Sequence, residues 1–84
     1  MPVLDADRNE VNAEFDSVVG HNIRCRRMYL GITQAVLAER AGMDVSKLSR
    51  IENGQRTLTF REGMAVCKVL RLSATSLTNG NSAW

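Results

Sequence analysis

The sequence predicts an all-α protein of five helices, and three observations carry that reading. The chain has 84 residues with 44% hydrophobic content, enough for one core, since two would each bury too little surface to fold. Leu, Val, Ala, Met and Arg dominate, the aromatics are limited to Phe15, Tyr29, Phe60 and Trp84, and Pro occurs once, a composition suited to packed helices rather than sheets. Apolar residues recur at helical spacing between residues that cap and stop helices.

Each helix has its own justification. Phe15, Val19, Ile23 and Leu30 recur at helical spacing, so a first helix is predicted from near Asn12 to Leu30, where Gly31 ends it. Thr33 has the short hydroxyl of an N-cap, and Gln34 to Ala41 follows as a second helix with Leu37 and Ala38 inward and Gly42 as its stop. Asp44 can accept hydrogen bonds from the next exposed amides. It opens a third helix from Val45 to about Asn53, with Leu48 and Ile51 inward and Asn53-Gly54 as terminator. Thr59 and Glu62 have the spacing of a capping box and start a fourth helix carrying Phe60, Met64, Cys67 and Leu70 on one inner face. Ser73 caps a short fifth helix through Leu77. Residues 17–78 thus form the domain, 79–84 a flexible tail, and 1–16 an acidic segment, partly disordered or extending the first helix.

The net charge of +2 is unevenly spread. Residues 1–16 carry five acidic side chains against Arg8, a balance of −4, whereas residues 17–84 carry ten basic against four acidic, a balance of +6. A basic body suits a polyanionic partner, although many basic surfaces are only solvated. No run approaches the roughly 20 apolar residues of a membrane span, and the first residues lack the basic start and apolar stretch of a secretory leader. The expected location is the cytoplasm. Cys25 and Cys67 are isolated and only His21 could assist them, so free thiols are expected and no metal site. No nucleophile has a base at usable spacing, which argues against an enzyme; no cofactor or small-molecule ligand is expected.

The most informative feature is the pair of short helices joined at Gly42, with small Ala38 where they must cross. Once Leu48 and Ile51 are buried, the third helix presents Val45, Ser46, Lys47, Ser49 and Arg50. Such a set can enter a major groove about 12 Å wide, where Arg donates two hydrogen bonds to guanine, Ser donates or accepts, and Val touches a thymine methyl. Composition alone fits an ordinary solvated helix face equally well.

The run TQAVLAERAGMDVSKLSRIENGQR, followed by TLTFREGMAVCKVLRLSATSL, resembles the Xre-type helix-turn-helix family of phage repressors, Cro and restriction-modification controller proteins. The resemblance spans residues 17–77 and rests on Thr33-Gln34, Leu37-Ala38, Gly42, the run from Ser49 to Gly54, and the last leucines. It implies a lambda-repressor-like domain. Val45, Ser46 and Arg50 then match positions that meet base edges, with Lys47 and Ser49 flanking them. Thr33, Gln34, Asn53 and Arg56 match contacts to the phosphate backbone. Arg27 and Glu52 match an internal salt bridge between the first and third helices, leaving Arg24 and Arg26 to approach phosphate or face solvent. Two departures stand out: Val45 replaces a commonly polar residue, and Gly63 replaces a large apolar one. A mid-helix Gly costs about 1 kcal/mol relative to Ala, so either a close approach offsets it there or the glycine is tolerated drift.

The resemblance further implies a transcriptional regulator, most simply a repressor or controller protein, bound to double-stranded DNA as a homodimer on an inverted repeat with half-sites roughly 10 bp apart. The dimer surface is expected on the fourth and fifth helices and the tail, through Leu72, Leu77 and Trp84. A different class of function, an antitoxin or protein-interaction module, would place a partner protein on residues 1–16.

Overall fold

In the computed structural model, which describes residues 10–80, the helices are α1 (Glu10–Tyr29), α2 (Gln34–Ala41), α3 (Val45–Glu52), α4 (Phe60–Leu70) and α5 (Ala74–Thr78), with no strand among the described residues. Residues 1–9 and Trp84 lie outside that range. The acidic segment is thus seen only from Glu10, where it is already part of α1.

Local chemistry sets the helix ends. Thr33 accepts from the Val36 amide at 3.1 Å, and Gly42, at φ 72°, provides the left-handed turn from α2 into α3. Thr59 and Glu62 form both arms of a capping box, the hydroxyl accepting from the Glu62 amide at 3.1 Å and the carboxylate from the Thr59 amide at 2.9 Å. Ser73 caps α5 by accepting from the Ser76 amide at 3.0 Å. Asp44 departs from expectation. It sits at the N-cap position of α3, but its side chain makes no capping bond. The carboxylate remains exposed, where hydration competes with the bond.

The core draws on every helix: Val19 and Ile23 from α1, Leu37 and Ala38 from α2, Leu48 and Ile51 from α3, Val66 and Leu70 from α4, and Leu77 from α5. Here the inner face expected for α4 is corrected. Of Phe60, Met64, Cys67 and Leu70 only Leu70 is buried, and Val66 takes the central place. The helix is rotated so that its Val66–Leu70 edge meets α1 and α2, which leaves Phe60 and Met64 in solvent. Of the two readings of Gly63, the close approach is overturned. A Cβ built there would meet only Leu58 Cδ1, at 4.0 Å, so no close approach explains the glycine. It borders instead an apolar cavity of about 290 Å³, lined among others by Phe15, Val19, Leu58, Phe60, Met64 and Leu77.

A few polar contacts fix α1 against the rest. The buried Asn22 amide donates to the carbonyls of Leu77 (2.7 Å) and Asn79 (3.0 Å), holding the end of α5. Arg26 Nε donates to the Leu70 carbonyl at 2.9 Å and its guanidinium lies 5.2 Å from the Tyr29 ring centre, so it closes α4 and is not free for phosphate. Thr57 donates to buried Asp16 at 2.6 Å, tying the loop after α3 to α1. No helix among the described residues is long and apolar enough to cross a membrane.

Candidate nucleic-acid interface

α3 has one locked side and one open side. Leu48, Ile51 and Glu52 are buried, while Val45, Ser46, Arg50 and the following Asn53 are exposed and Lys47 and Ser49 half-buried. Ser46, Arg50 and Asn53 follow one another at i, i+4 and i+7 and therefore share a stripe. No described residue pairs with the Arg50 guanidinium, which leaves its fork of donors open to a planar acceptor pair.

The locked side is held electrostatically as well as by packing. Glu52, its side chain 1% exposed, accepts from Arg27 Nε at 2.7 Å, Arg27 Nη2 at 3.0 Å and Gln34 Nε2 at 3.0 Å. Arg27 also donates to the Ile32 carbonyl at 3.0 Å. A buried carboxylate is tolerable only with such compensation, and here a paired fork supplies most of it. The Gln34 amide nitrogen is thereby turned toward Glu52, while Thr33 remains exposed with its hydroxyl capping α2.

Lys47 bends away from the stripe to meet Glu62 at 2.9 Å, and Arg56 lies 3.6 Å from the same carboxylate. Glu62 therefore joins α3, the loop after it and the start of α4, a role its capping-box spacing did not reveal. Its acidity follows from that position: the Thr59 amide holds the pKa below the ordinary 4.5, burial opposes the shift, and Lys47 and Arg56 reinforce it. Because the folded value is depressed, Glu62 contributes stability above the ordinary carboxylate range and loses it as pH falls through the lowered value. Glu62→Gln should accordingly flatten the acid limb of the stability profile, as followed by circular dichroism between pH 6 and 2; an unaltered limb would show that the bonds do not distinguish the charged form.

Of the residues assigned to a dimer surface, Leu77 is 5% exposed and belongs to the core, where it also lines the cavity beside Gly63, and Leu72 is half-buried against the same core; Trp84 is outside the described residues. Burial pushes the Cys67 thiol up, as suits a packing residue. Cys25 is also free, and no described group of His, Cys, Asp or Glu could hold a metal.

Gly20 was missed by the sequence reading. A Cβ there would fall within contact distance of the Ile51 carbonyl oxygen and 2.8 Å from that of Glu52, so α1 and the end of α3 approach backbone to backbone. A signal existed: Asp16, Gly20, Ile23 and Arg27 share one helical face, and a glycine on a buried face marks a close approach.

The model of the helix-turn-helix domain matches residues 18–78. Among solved structures, the restriction-modification controller protein C.AhdI from Aeromonas hydrophila is similar at 26% identity and a TM-score of 0.71, over 74% of this chain and 94% of that one. The clp gene regulator ClgR from Corynebacterium glutamicum shares the fold at 24% identity and a TM-score of 0.75, over 79% of this chain and 70% of that one. No curated protein matches. With two short helices meeting at Gly42, an open stripe on the second of them and a family model spanning both, the chain belongs to the helix-turn-helix domain family, whose members regulate transcription by binding DNA and are not enzymes.

Proposed function

We propose that the protein is a sequence-specific regulator of transcription that binds an inverted-repeat operator as a homodimer, each copy laying α3 in the major groove, and that it represses by covering a promoter. The observation that carries this reading is the Ser46–Arg50–Asn53 stripe: it is exposed, polar and cationic, on a helix whose opposite side is fixed by Leu48, Ile51 and Glu52. Val45 adds an apolar contact suited to a thymine methyl. Asn53 at the end of the stripe and Thr33, Gln34 and Arg56 beside it are read as contacts to phosphate, Gln34 through what its bond to Glu52 leaves over. One short helix reads too few base pairs to single out a site in a genome, which favours two copies. The described body measures 39 × 28 × 18 Å. Copies placed side by side along either longer dimension bracket the roughly 34 Å between successive major-groove half-sites.

Selection of bound sites from random duplex DNA at a stated salt concentration tests the reading directly. A palindromic consensus is expected, and recovery of no preferred duplex would refute it. Arg50→Ala should weaken the selected site by about 1–3 kcal/mol and spare non-specific affinity, whereas Arg56→Ala should weaken all sequences alike and make the salt slope shallower by about one unit. Equal losses on every sequence for Arg50→Ala would assign that residue to phosphate instead.

A further inference from the structure

We infer that the face formed by Phe15, Phe60 and Met64 receives a second copy of this chain, with Phe60 of each copy entering the cavity beside Gly63 of the other. The inference rests on the homodimer reading and adds where the copies meet. Phe60, Gly63, Met64 and Cys67 recur at i, i+3, i+4 and i+7, the spacing of a packed helix face. Among the described residues that face has no full partner. Phe60 is 83% exposed, Met64 59% and Phe15 48%, while α4 uses Val66 and Leu70 for its own core.

The area is right for a dimer. At the surface typical of large side chains, these three leave on the order of 400 Å² of apolar area in water. That is near the largest apolar patch a monomer usually tolerates. It is also about half of the roughly 800 Å² each partner buries in a standard interface, of which about 60% is apolar.

Knob and hole lie in the same patch, as a two-fold contact requires. Gly63 borders the cavity of about 290 Å³, and a Cβ built there would meet nothing nearer than Leu58 Cδ1 at 4.0 Å, so that wall is open. An apolar cavity of about 150 Å³ accommodates a benzene ring, so a phenyl ring fits with room for the partner's backbone. A small molecule in the hole would touch only the wall that Phe60 lends to it, whereas a second protein surface also covers the outer sides of Phe60 and Met64, which are 83% and 59% exposed. The face also adjoins the proposed DNA side. Arg56 lines the cavity, and its Nε is buried without a hydrogen-bond partner. Thr57 next to it is tied to Asp16 on the same wall. Association at this face therefore bears on the loop that follows α3.

Sedimentation equilibrium of the full chain tests the proposal through two substitutions, neither of which is expected to unfold it. Phe60→Glu changes a side chain that contributes little to the core and should weaken association at least ten-fold with the helical circular dichroism intact. Gly63→Leu fills the cavity from within, and should raise the melting temperature at low, monomeric concentration while also weakening association at least ten-fold. A wild-type chain that remains monomeric both free and on selected DNA overturns the proposal. So does a dimer whose dissociation constant is unmoved by both substitutions. In the latter case a palindromic consensus from site selection would still stand, which separates failure of this face from failure of the homodimer reading.

Discussion

Glu52→Ala is expected to remove about 3–5 kcal/mol of stability, against the roughly 5–15 kcal/mol that holds a domain of ordinary size. The carboxylate is the shared acceptor for Arg27 and Gln34, and its loss leaves a guanidinium only 13% exposed with one remaining bond, to the Ile32 carbonyl. An uncompensated charge in that position must either drag in water or swing out, and both routes loosen α1 from α3. The penalty arises from stranding the arginine more than from losing the pair, so replacing both members should be milder: Arg27→Met combined with Glu52→Leu is expected to recover most of the loss. Urea unfolding of the two single variants and the double variant measures this. A loss below about 1 kcal/mol in Glu52→Ala would mean that the pair is effectively solvated, with the small worth of a surface ion pair.

Gly20→Ala is the second large effect. In most mid-helix positions this change stabilises by about 1 kcal/mol, and on propensity alone α1 should welcome it. The geometry reverses the sign. The new methyl would lie 2.8 Å from the Glu52 carbonyl oxygen and closer still to that of Ile51. Both obstacles are backbone, which cannot rotate away as the end of a side chain can. Overpacking of this kind costs about 1–3 kcal/mol or more, and the strain can be relieved only by moving the end of α3. A net destabilisation of roughly 1–2 kcal/mol is therefore expected, together with weaker binding to selected DNA at temperatures where the variant is fully folded. A stabilised Gly20→Ala variant, read by thermal denaturation, would show that the two helices have room to spare.

The starts of α2, α4 and α5 were readable from sequence because they are decided within a few residues: Thr33, Thr59 and Ser73 each accept from an amide three positions on. The buried sides of α2 and α3 were readable for the same local reason, as in each helix one rotation buries an apolar pair together, Leu37 with Ala38 and Leu48 with Ile51. The rotation of α4 was not, because it carries apolar residues on two adjoining faces and periodicity cannot say which one the rest of the chain will take. The structure gave the core to Val66 and Leu70. Contacts across long separations were equally hidden. Nothing local tells that Asn22 will meet the end of α5 or that Glu62 will gather Lys47 and Arg56. Residue type indicated which side of α3 faces solvent, but whether Lys47 projects outward or folds back depended on a carboxylate fifteen positions away.

The polar ties that hold α3 leave from its edges and its end: Glu52 to Arg27 and Gln34, Lys47 to Glu62, the last carbonyls against Gly20. Val45, Ser46 and Arg50 contribute none of them, so framework and outer stripe are separable parts of one eight-residue helix. If the rim reads the target as proposed, the scaffold can be readdressed by exchanges at those three positions with no rebuilding of the interior, and lineages could diversify their binding sites without first surrendering a stable fold.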